Sequence, residues 1–147
     1  MHTPTLNVLV LLAASSASVA CGSNPDDAIL PPAAVARVKL LETNVGLPPN
    51  SSSVFLTEDA WLDRLQLIRF DAPLAEARAF AHRALGRPAV RGYDPAITHL
   101  DTRSPWWIRD FPPGAEGGKL ETPHRTVSIV IVPDGAQART WVAVSAR

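Results

Sequence analysis

Residues 52–86, SSVFLTEDAWLDRLQLIRFDAPLAEARAFAHRALG, constrain the fold more than any other part of the chain. Residues 53–57 are β-prone and largely apolar, and residues 61–70 form a second strand-like run. The three residues between these runs, Glu58-Asp59-Ala60, are compatible with a turn, and a gap of this length is typical of a β-hairpin. Because neither face of the second run is cleanly apolar, we expect a strand that is covered partly on both sides.

A capped amphipathic helix is predicted directly after this hairpin. Asp71 can cap the first turn, Pro73 suits that turn, and Glu76 places a negative charge near the positive end of the helix dipole. Gly86 is the expected end of the helix, because glycine adopts the left-handed cap without steric cost. The apolar residues recur at helical spacing and define one buried face, namely Ala77, Phe80, Ala81, Ala84 and Leu85.

The C-terminal part of the chain predicts a second hairpin. Residues 125–132 alternate in polarity, and Val127, Ile129 and Ile131 share one face. Pro133-Asp134-Gly135 is a turn signal, because proline fixes its own φ and glycine tolerates a positive φ. The strand returns over residues 138–145.

These elements predict one small α+β domain at residues 33–147, an antiparallel sheet of two hairpins packed against one main helix. A short helix is expected within residues 33–43. Residues 87–124 are rich in proline and glycine and are predicted to be a long irregular connection. The chain that follows the N-terminal segment is long enough for one hydrophobic core and too short for two.

The first 20 residues are typical of a secretory signal peptide. Their apolar run, residues 8–14, is far shorter than the roughly 20 residues that span a bilayer. Ser18-Val19-Ala20-Cys21 resembles the lipobox of bacterial lipoproteins, in which the signal is cut before the cysteine and the thiol receives a diacylglycerol. The resemblance implies a lipid on Cys21 and a membrane anchor. Ser18 and Ala20 also suit an ordinary signal peptidase, so secretion without a lipid stays an alternative.

Cys21 is the only cysteine of the chain. A single cysteine in an exported protein has no internal disulfide partner, which favours its use in lipidation. Residues 21–32 are then predicted to be a flexible tether between the lipid and the domain. In the lipoprotein family, an Asp after the cysteine retains the protein at the inner membrane. Gly22 therefore implies the outer membrane, on its periplasmic side, if the cell is Gram-negative.

The charge balance narrows the classes of partner. Fourteen basic and fourteen acidic residues give a formal net charge of zero, whereas a nucleic-acid-binding protein needs a basic footprint that releases phosphate counterions. Nucleic acid is therefore not an expected partner. No cofactor is expected either, since the segment nearest to a phosphate loop, residues 113–120, has Pro113 in place of the first glycine and Leu120 in place of the hydroxyl residue.

Two groups of ionisable residues are candidates for acid–base or metal chemistry. Glu58, Asp59 and Asp63 surround the first predicted turn, and glycoside hydrolysis uses two carboxylates at a fixed separation. The second group fits no known pattern of metal ligands and consists of Asp94, His99, Asp101 and His124. Both groups lie where solvated polar residues are expected, so we assign no catalytic residue and no metal site.

The tryptophans are the most informative candidates for binding. Indole rings stack on sugars and anchor protein interfaces. In an extended segment the adjacent Trp106 and Trp107 cannot both point into one small core, so one of them is expected at a groove or at the surface. Trp61, Trp106 and Trp107 are therefore the candidate ligand- or partner-binding residues. The alternative is that the tryptophans, with Trp141, pack as core at the open end of the sheet.

Together these features predict a membrane-anchored envelope lipoprotein with a non-catalytic binding domain. Its expected partners are the membrane, through the lipid on Cys21, and an envelope protein or cell-wall material. Two alternatives stay open: an envelope enzyme that acts on glycans or cell-wall material, and a structural lipoprotein without a dedicated ligand.

Overall fold

The structure, a computed structural model, describes residues 27–59 and 63–147. These residues contain two helices, α1 (Pro32–Val35) and α2 (Leu74–Leu85). Their strands are β1 (Ser52–Asp59), β2 (Arg64–Pro73), β3 (Val90–Arg91), β4 (Glu116–Glu121), β5 (Arg125–Asp134) and β6 (Gln137–Ala146). All six strands form one antiparallel sheet in the order β1-β2-β6-β5-β4-β3.

The predicted α+β class is wrong, because the fold is mainly β. Both predicted hairpins are present, as β1–β2 and β5–β6. They join into one sheet through β2 and β6, which pair over ten residues each. The helices, with 4 and 12 residues, contain far fewer residues than the six strands together. The sheet is therefore the organising element, and α2 is a cover on one of its faces.

Helix α2 ends as predicted and begins differently. Gly86 is the C-cap with a left-handed φ of 71°. The predicted N-cap, Asp71, lies within β2 instead, and the N-cap position is held by Pro73 without a side-chain hydrogen bond. The N–H of Leu74 donates to the carbonyl of Ala136 at 2.9 Å. The first turn of α2 is thus fixed by the β5–β6 turn rather than by a capping side chain.

The central strands carry apolar side chains on both faces, and a different part of the chain covers each face. One face packs against α2, through the predicted helix residues Ala77, Phe80, Ala81, Ala84 and Leu85, and against residues 38–41. The predicted grouping of Val127, Ile129 and Ile131 on one side of β5 is confirmed, since all three belong to this core. The opposite face packs against residues 97–115 and presents Leu67, Val130, Trp141 and Ala143.

We call residues 92–115 the cover loop, because they cover that second face. The loop closes at its base, where the N–H of Gly92 donates to the carbonyl of Ala115 at 2.9 Å. Beside this base, a Cβ atom on Gly117 would overlap the carbonyl oxygen of Tyr93, so a glycine in β4 lets the cover loop cross closely.

Residues 116–121 correct one expectation. They form β4, although they were predicted to belong to an irregular connection. On the side facing α2, a Cβ atom on Gly118 would meet the side chain of Leu85. Because both positions lack a Cβ atom, β4 can lie between the helix and the cover loop. The same glycines interrupt the apolar alternation that identifies a strand in a sequence.

The N-terminal residues in the described part of the chain run beside the edge of the sheet. The N–H of Leu30 donates to the carbonyl of Val54 in β1 at 2.8 Å, and α1 follows at Pro32–Val35. The predicted signal peptide and Cys21 lie outside the described residues. None of the helices in residues 27–59 and 63–147 has the length and apolar character needed to cross a membrane.

Gln66 hydrogen-bonds the segment between α1 and β1 to the sheet. Its side chain is buried, with 2% of the residue exposed. The amide oxygen accepts from the N–H of Leu41 at 3.1 Å, and the amide nitrogen donates to the carbonyl of Lys39 and to Oε1 of Glu58, both at 2.9 Å. One buried side chain thus satisfies polar groups of two other segments.

We expect Gln66→Met to lower the free energy of unfolding by roughly 2–4 kcal/mol, because the change keeps the side-chain length but leaves the buried Leu41 N–H and Lys39 carbonyl without partners. Urea denaturation measures the effect. Gln137→Met, at an exposed position of β6, is the matched control and should change stability by less than about 0.5 kcal/mol. Equal effects at both positions would contradict the role of Gln66.

Candidate functional site

The sheet face beneath the cover loop carries charged residues at one end. The strand register places Phe55 opposite Arg69, and Arg69 opposite Trp141. Two residues further along β2, Asp71 lies opposite Arg139. Since alternate residues of a strand share a face, these charges lie on the same face as the apolar residues that the cover loop buries.

A cleft of about 680 Å³ opens between this end of the sheet and the cover loop. The sheet contributes Arg69, Val132, Arg139 and Trp141, and the cover loop contributes residues 105–110 and Pro112. Its volume lies within the range of about 300–1,000 Å³ that is usual for sites of small ligands.

Arg69 is the most enclosed charge of the cleft, with 14% of its side chain exposed. Its guanidinium carbon lies 5.4 Å from the centre of the Phe55 ring, within the range of a cation–π contact. Nη2 donates to both carboxylate oxygens of Asp71, at 3.0 and 3.3 Å. Burial lowers the pKa of Arg69, the charge of Asp71 opposes this shift, and the charge of Arg139 adds to it.

Two further arginines line the cleft in different ways. Arg139 has 55% of its side chain exposed, and its Nε lies 3.8 Å from Oδ1 of Asp71. Arg109 instead donates to two carbonyl oxygens of the cover loop, those of Asp101 at 3.1 Å and Ser104 at 2.7 Å. Asp110 is exposed at the rim. Three arginines against Asp71 and Asp110 give this region a net charge of +1, on a chain whose net charge is zero.

Both adjacent tryptophans of the cover loop are buried, Trp106 with 8% and Trp107 with 2% of the residue exposed. The expectation that one of them stands at the surface assumed an extended chain. The backbone turns at residues 105–107 instead. The two rings therefore pack together, with centres 5.7 Å apart and planes at 84°. Trp61, the third candidate, lies outside the described residues.

The contacts of the tryptophans fix one wall of the cleft. Trp106 stacks on Phe55 with ring centres 5.6 Å apart and planes at 14°. Nε1 of Trp107 donates to the carbonyl of Ile97 at 3.0 Å, and Nε1 of Trp141 donates to the carbonyl of Trp106 at 2.9 Å. Trp106 and Trp107 line the cleft while belonging to the core. Their role as ligand contacts stays a prediction.

The structure brings together members of the two ionisable groups considered from sequence. A second cleft of about 370 Å³ is lined by Glu58, Asp59, His99 and Asp101, but the carboxylate of Glu58 accepts from Gln66 on the face of the sheet that α2 covers. Asp63, Asp94 and His124 are exposed and do not line this cleft. Within residues 27–59 and 63–147, no three His, Cys, Asp or Glu side chains are arranged to hold a metal ion.

Asp101 stabilises a turn of the cover loop. Its Oδ1 accepts from the N–H groups of Arg103 and Ser104 at 2.8 and 3.0 Å. Burial raises the pKa of Asp101, but the hydrogen bonds from Ser104 and Arg103 and the charge of Arg109 outweigh it, so the pKa lies below its ordinary value. A carboxyl group held in its ionised form is a poor general acid.

The sequence alone did not identify Arg69, Arg139 or Asp71 as candidate site residues. One signal was present, because Arg69 and Asp71 are charged residues at alternate positions of a strand whose other residues are mostly apolar. Arg139 is 70 positions from Arg69 in the sequence. Only the pairing of β2 with β6 brings Arg139 beside Asp71.

The pKa of Asp101 predicts a pH-dependent contribution to stability. Because the folded-state pKa is below the reference value of 3.8, this contribution is complete above that value and is lost as the pH falls through the folded-state pKa. Between pH 6 and pH 3, Asp101→Asn should therefore lose less stability than the unmodified protein, as measured by urea denaturation. Asp134→Asn, at the exposed β5–β6 turn, controls for the loss of one charge. Identical pH profiles for Asp101→Asn and the unmodified protein would contradict the assignment.

The chain matches no protein-family model, no curated protein and no solved structure. Its function therefore has to be inferred from the cleft and from the N-terminal sequence.

Proposed function

We propose that the chain is a lipoprotein of the bacterial cell envelope, and that its domain binds an envelope protein or cell-wall material without catalysing a reaction. The observation that carries the binding role is the cleft of about 680 Å³, with the enclosed Arg69 and the exposed Arg139 on one wall. The resemblance of residues 18–21 to a lipobox supports the anchor.

The position of Leu30 limits how far the domain stands from its membrane. Leu30 is hydrogen-bonded to β1, and it lies nine positions after Cys21. A fully extended chain spans at most about 3.5 Å per residue, so this segment reaches no more than about 30 Å. A lipid on Cys21 therefore keeps the cleft near the bilayer surface, where envelope partners are concentrated.

The chemistry of the lining favours binding over catalysis. Among the described residues that line the cleft there is no Ser, Thr, Cys, His or Lys. Arginine does not lose its proton at physiological pH, and the Asp71 beside the cleft is paired with Arg69. The cleft thus offers charge and shape to a ligand but lacks the nucleophiles and most of the proton carriers that enzymes use.

Mass spectrometry of protein extracted from membranes tests the anchor. We expect a mature chain that begins at an acylated Cys21, whereas Cys21→Ser should give an unmodified chain, because serine has no thiol to accept the lipid. An unmodified native chain in the soluble fraction would contradict the anchor and favour plain secretion.

Photo-crosslinking in intact envelopes tests the binding role. A photoreactive residue at Asp110, on the exposed rim of the cleft, should give a discrete crosslinked product. The matched position is Arg83, which is exposed on α2 at the opposite face of the sheet and should give none. Equal crosslinking at the two positions, or none at either, would contradict a binding role for the cleft.

A further inference from the structure

The cleft beside Arg69 and Arg139 has a charge and a shape that select among ligand classes. We infer that it binds a carboxylate group carried by a peptide, with the carboxylate held by Arg139 beside Arg69 and the peptide lying along the rim of the cover loop. This inference rests on the proposed function in one respect, namely that the cleft is the binding site.

The donors of Arg139 favour a carboxylate. In the described part of the chain, the charged partner of Arg139 is Asp71 at 3.8 Å, a distance longer than a hydrogen bond. More than half of the Arg139 side chain is exposed, so its planar fork of N–H groups faces solvent at the cleft. A guanidinium in this setting matches the two oxygens of a carboxylate in a bidentate arrangement.

The charge balance of the cleft favours a ligand that carries a single negative charge. Arg69, Arg109 and Arg139 oppose Asp71 and Asp110, which leaves a net charge of +1. A carboxylate neutralises this charge. A phosphate monoester carries about −1.5 to −2 at pH 7, so it exceeds the available charge and brings additional repulsion from the two aspartates.

The buried state of the tryptophans disfavours a neutral glycan. Sugars bind to exposed aromatic faces, but Trp106 is stacked on Phe55 and meets Trp107 at its edge. The more accessible apolar residues at the cleft are Pro105, Pro112 and Val132. Such small, aliphatic surfaces suit a peptide with short side chains.

The test is calorimetric titration of the purified full chain with acetyl-Ala-Gln-Ala whose free C-terminal carboxylate is its one negative charge. We expect saturable binding. The matched probe, acetyl-Ala-Gln-Ala amide, has the same size without negative charge and should bind roughly 10- to 100-fold more weakly, as loss of a charge-assisted bidentate contact implies.

Arg139→Gln should weaken binding of the acidic peptide roughly 10-fold or more, since it removes the exposed guanidinium. The matched control is Arg83→Gln, which makes the same charge change on the far side of the sheet and should leave binding within about twofold. Near-UV circular dichroism of each variant reports whether the packed tryptophans are unchanged. Arg139→Lys, which keeps the charge but not the planar fork, should bind between the native protein and Arg139→Gln.

A second variant keeps the inference falsifiable if Arg139→Gln fails to fold. Asp71→Asn removes the competing carboxylate and raises the local net charge from +1 to +2, so it should strengthen binding of the acidic peptide several-fold. Unchanged or weaker binding by an Asp71→Asn variant with native near-UV circular dichroism would contradict the inference.

Three further outcomes would overturn the inference. They are equal binding of the two peptides, tighter binding of a phosphopeptide of the same length, and binding of chito-oligosaccharides that does not depend on Arg139. Crosslinking at Asp110 in intact envelopes is independent of all three. A failure of the carboxylate inference alone therefore leaves the crosslink in place, whereas a failure of the proposed function removes it.

Discussion

The structure depends on one constraint, that the central strands β2, β6 and β5 have apolar side chains on both faces and that both faces must be kept from water. One face buries Ile68 and Phe70 of β2 beneath α2, together with Val127, Ile129 and Ile131 of β5. The other buries Leu67, Val130 and Trp141. Burial of apolar surface contributes about 25 cal/mol per Å², so neither face can be left open in a small domain. The hairpins, the helix and the cover loop are arranged around this requirement.

A helix and a loop meet this requirement by different means. Helix α2 satisfies its own backbone hydrogen bonds, whereas a loop packed on a sheet must find partners for its backbone carbonyls elsewhere. In the cover loop some of these partners are backbone N–H groups, such as that of Gly92 on the Ala115 carbonyl, and others are side chains. Trp107 donates to Ile97, Trp141 donates to Trp106, and Arg109 donates to Ser104. The tryptophans thus act as apolar cover and as hydrogen-bond donors at once, which gives them a structural role that does not depend on ligand binding.

Charged residues lie where the cover loop meets the end of the sheet that carries the paired residues Asp71 and Arg139. Enclosing the Arg69 guanidinium removes hydration, and the paired Asp71 and the face of Phe55 offset part of that loss. Arg139 shares the same aspartate at a longer distance. One carboxylate therefore serves two guanidinium groups, and the excess positive charge faces an open cleft. This imbalance, rather than an exposed aromatic surface, is the basis of the ligand selectivity that we propose for the cleft.

The sequence by itself determined the local elements: the two hairpins, the apolar face of α2 and the cap at Gly86, because these depend on periodicity and on the φ that glycine permits. It also predicts the lipidated Cys21, on residues outside the described part of the chain. It did not determine the fold class, because β4 contains Gly117 and Gly118 in place of apolar alternation, and because nothing local reveals that β2 pairs with β6. The cleft was decided by tertiary structure alone. Arg69 neighbours Asp71 within β2, whereas Arg139, far away in the chain, reaches the same aspartate only through the register of β2 with β6, which long-range burial fixes.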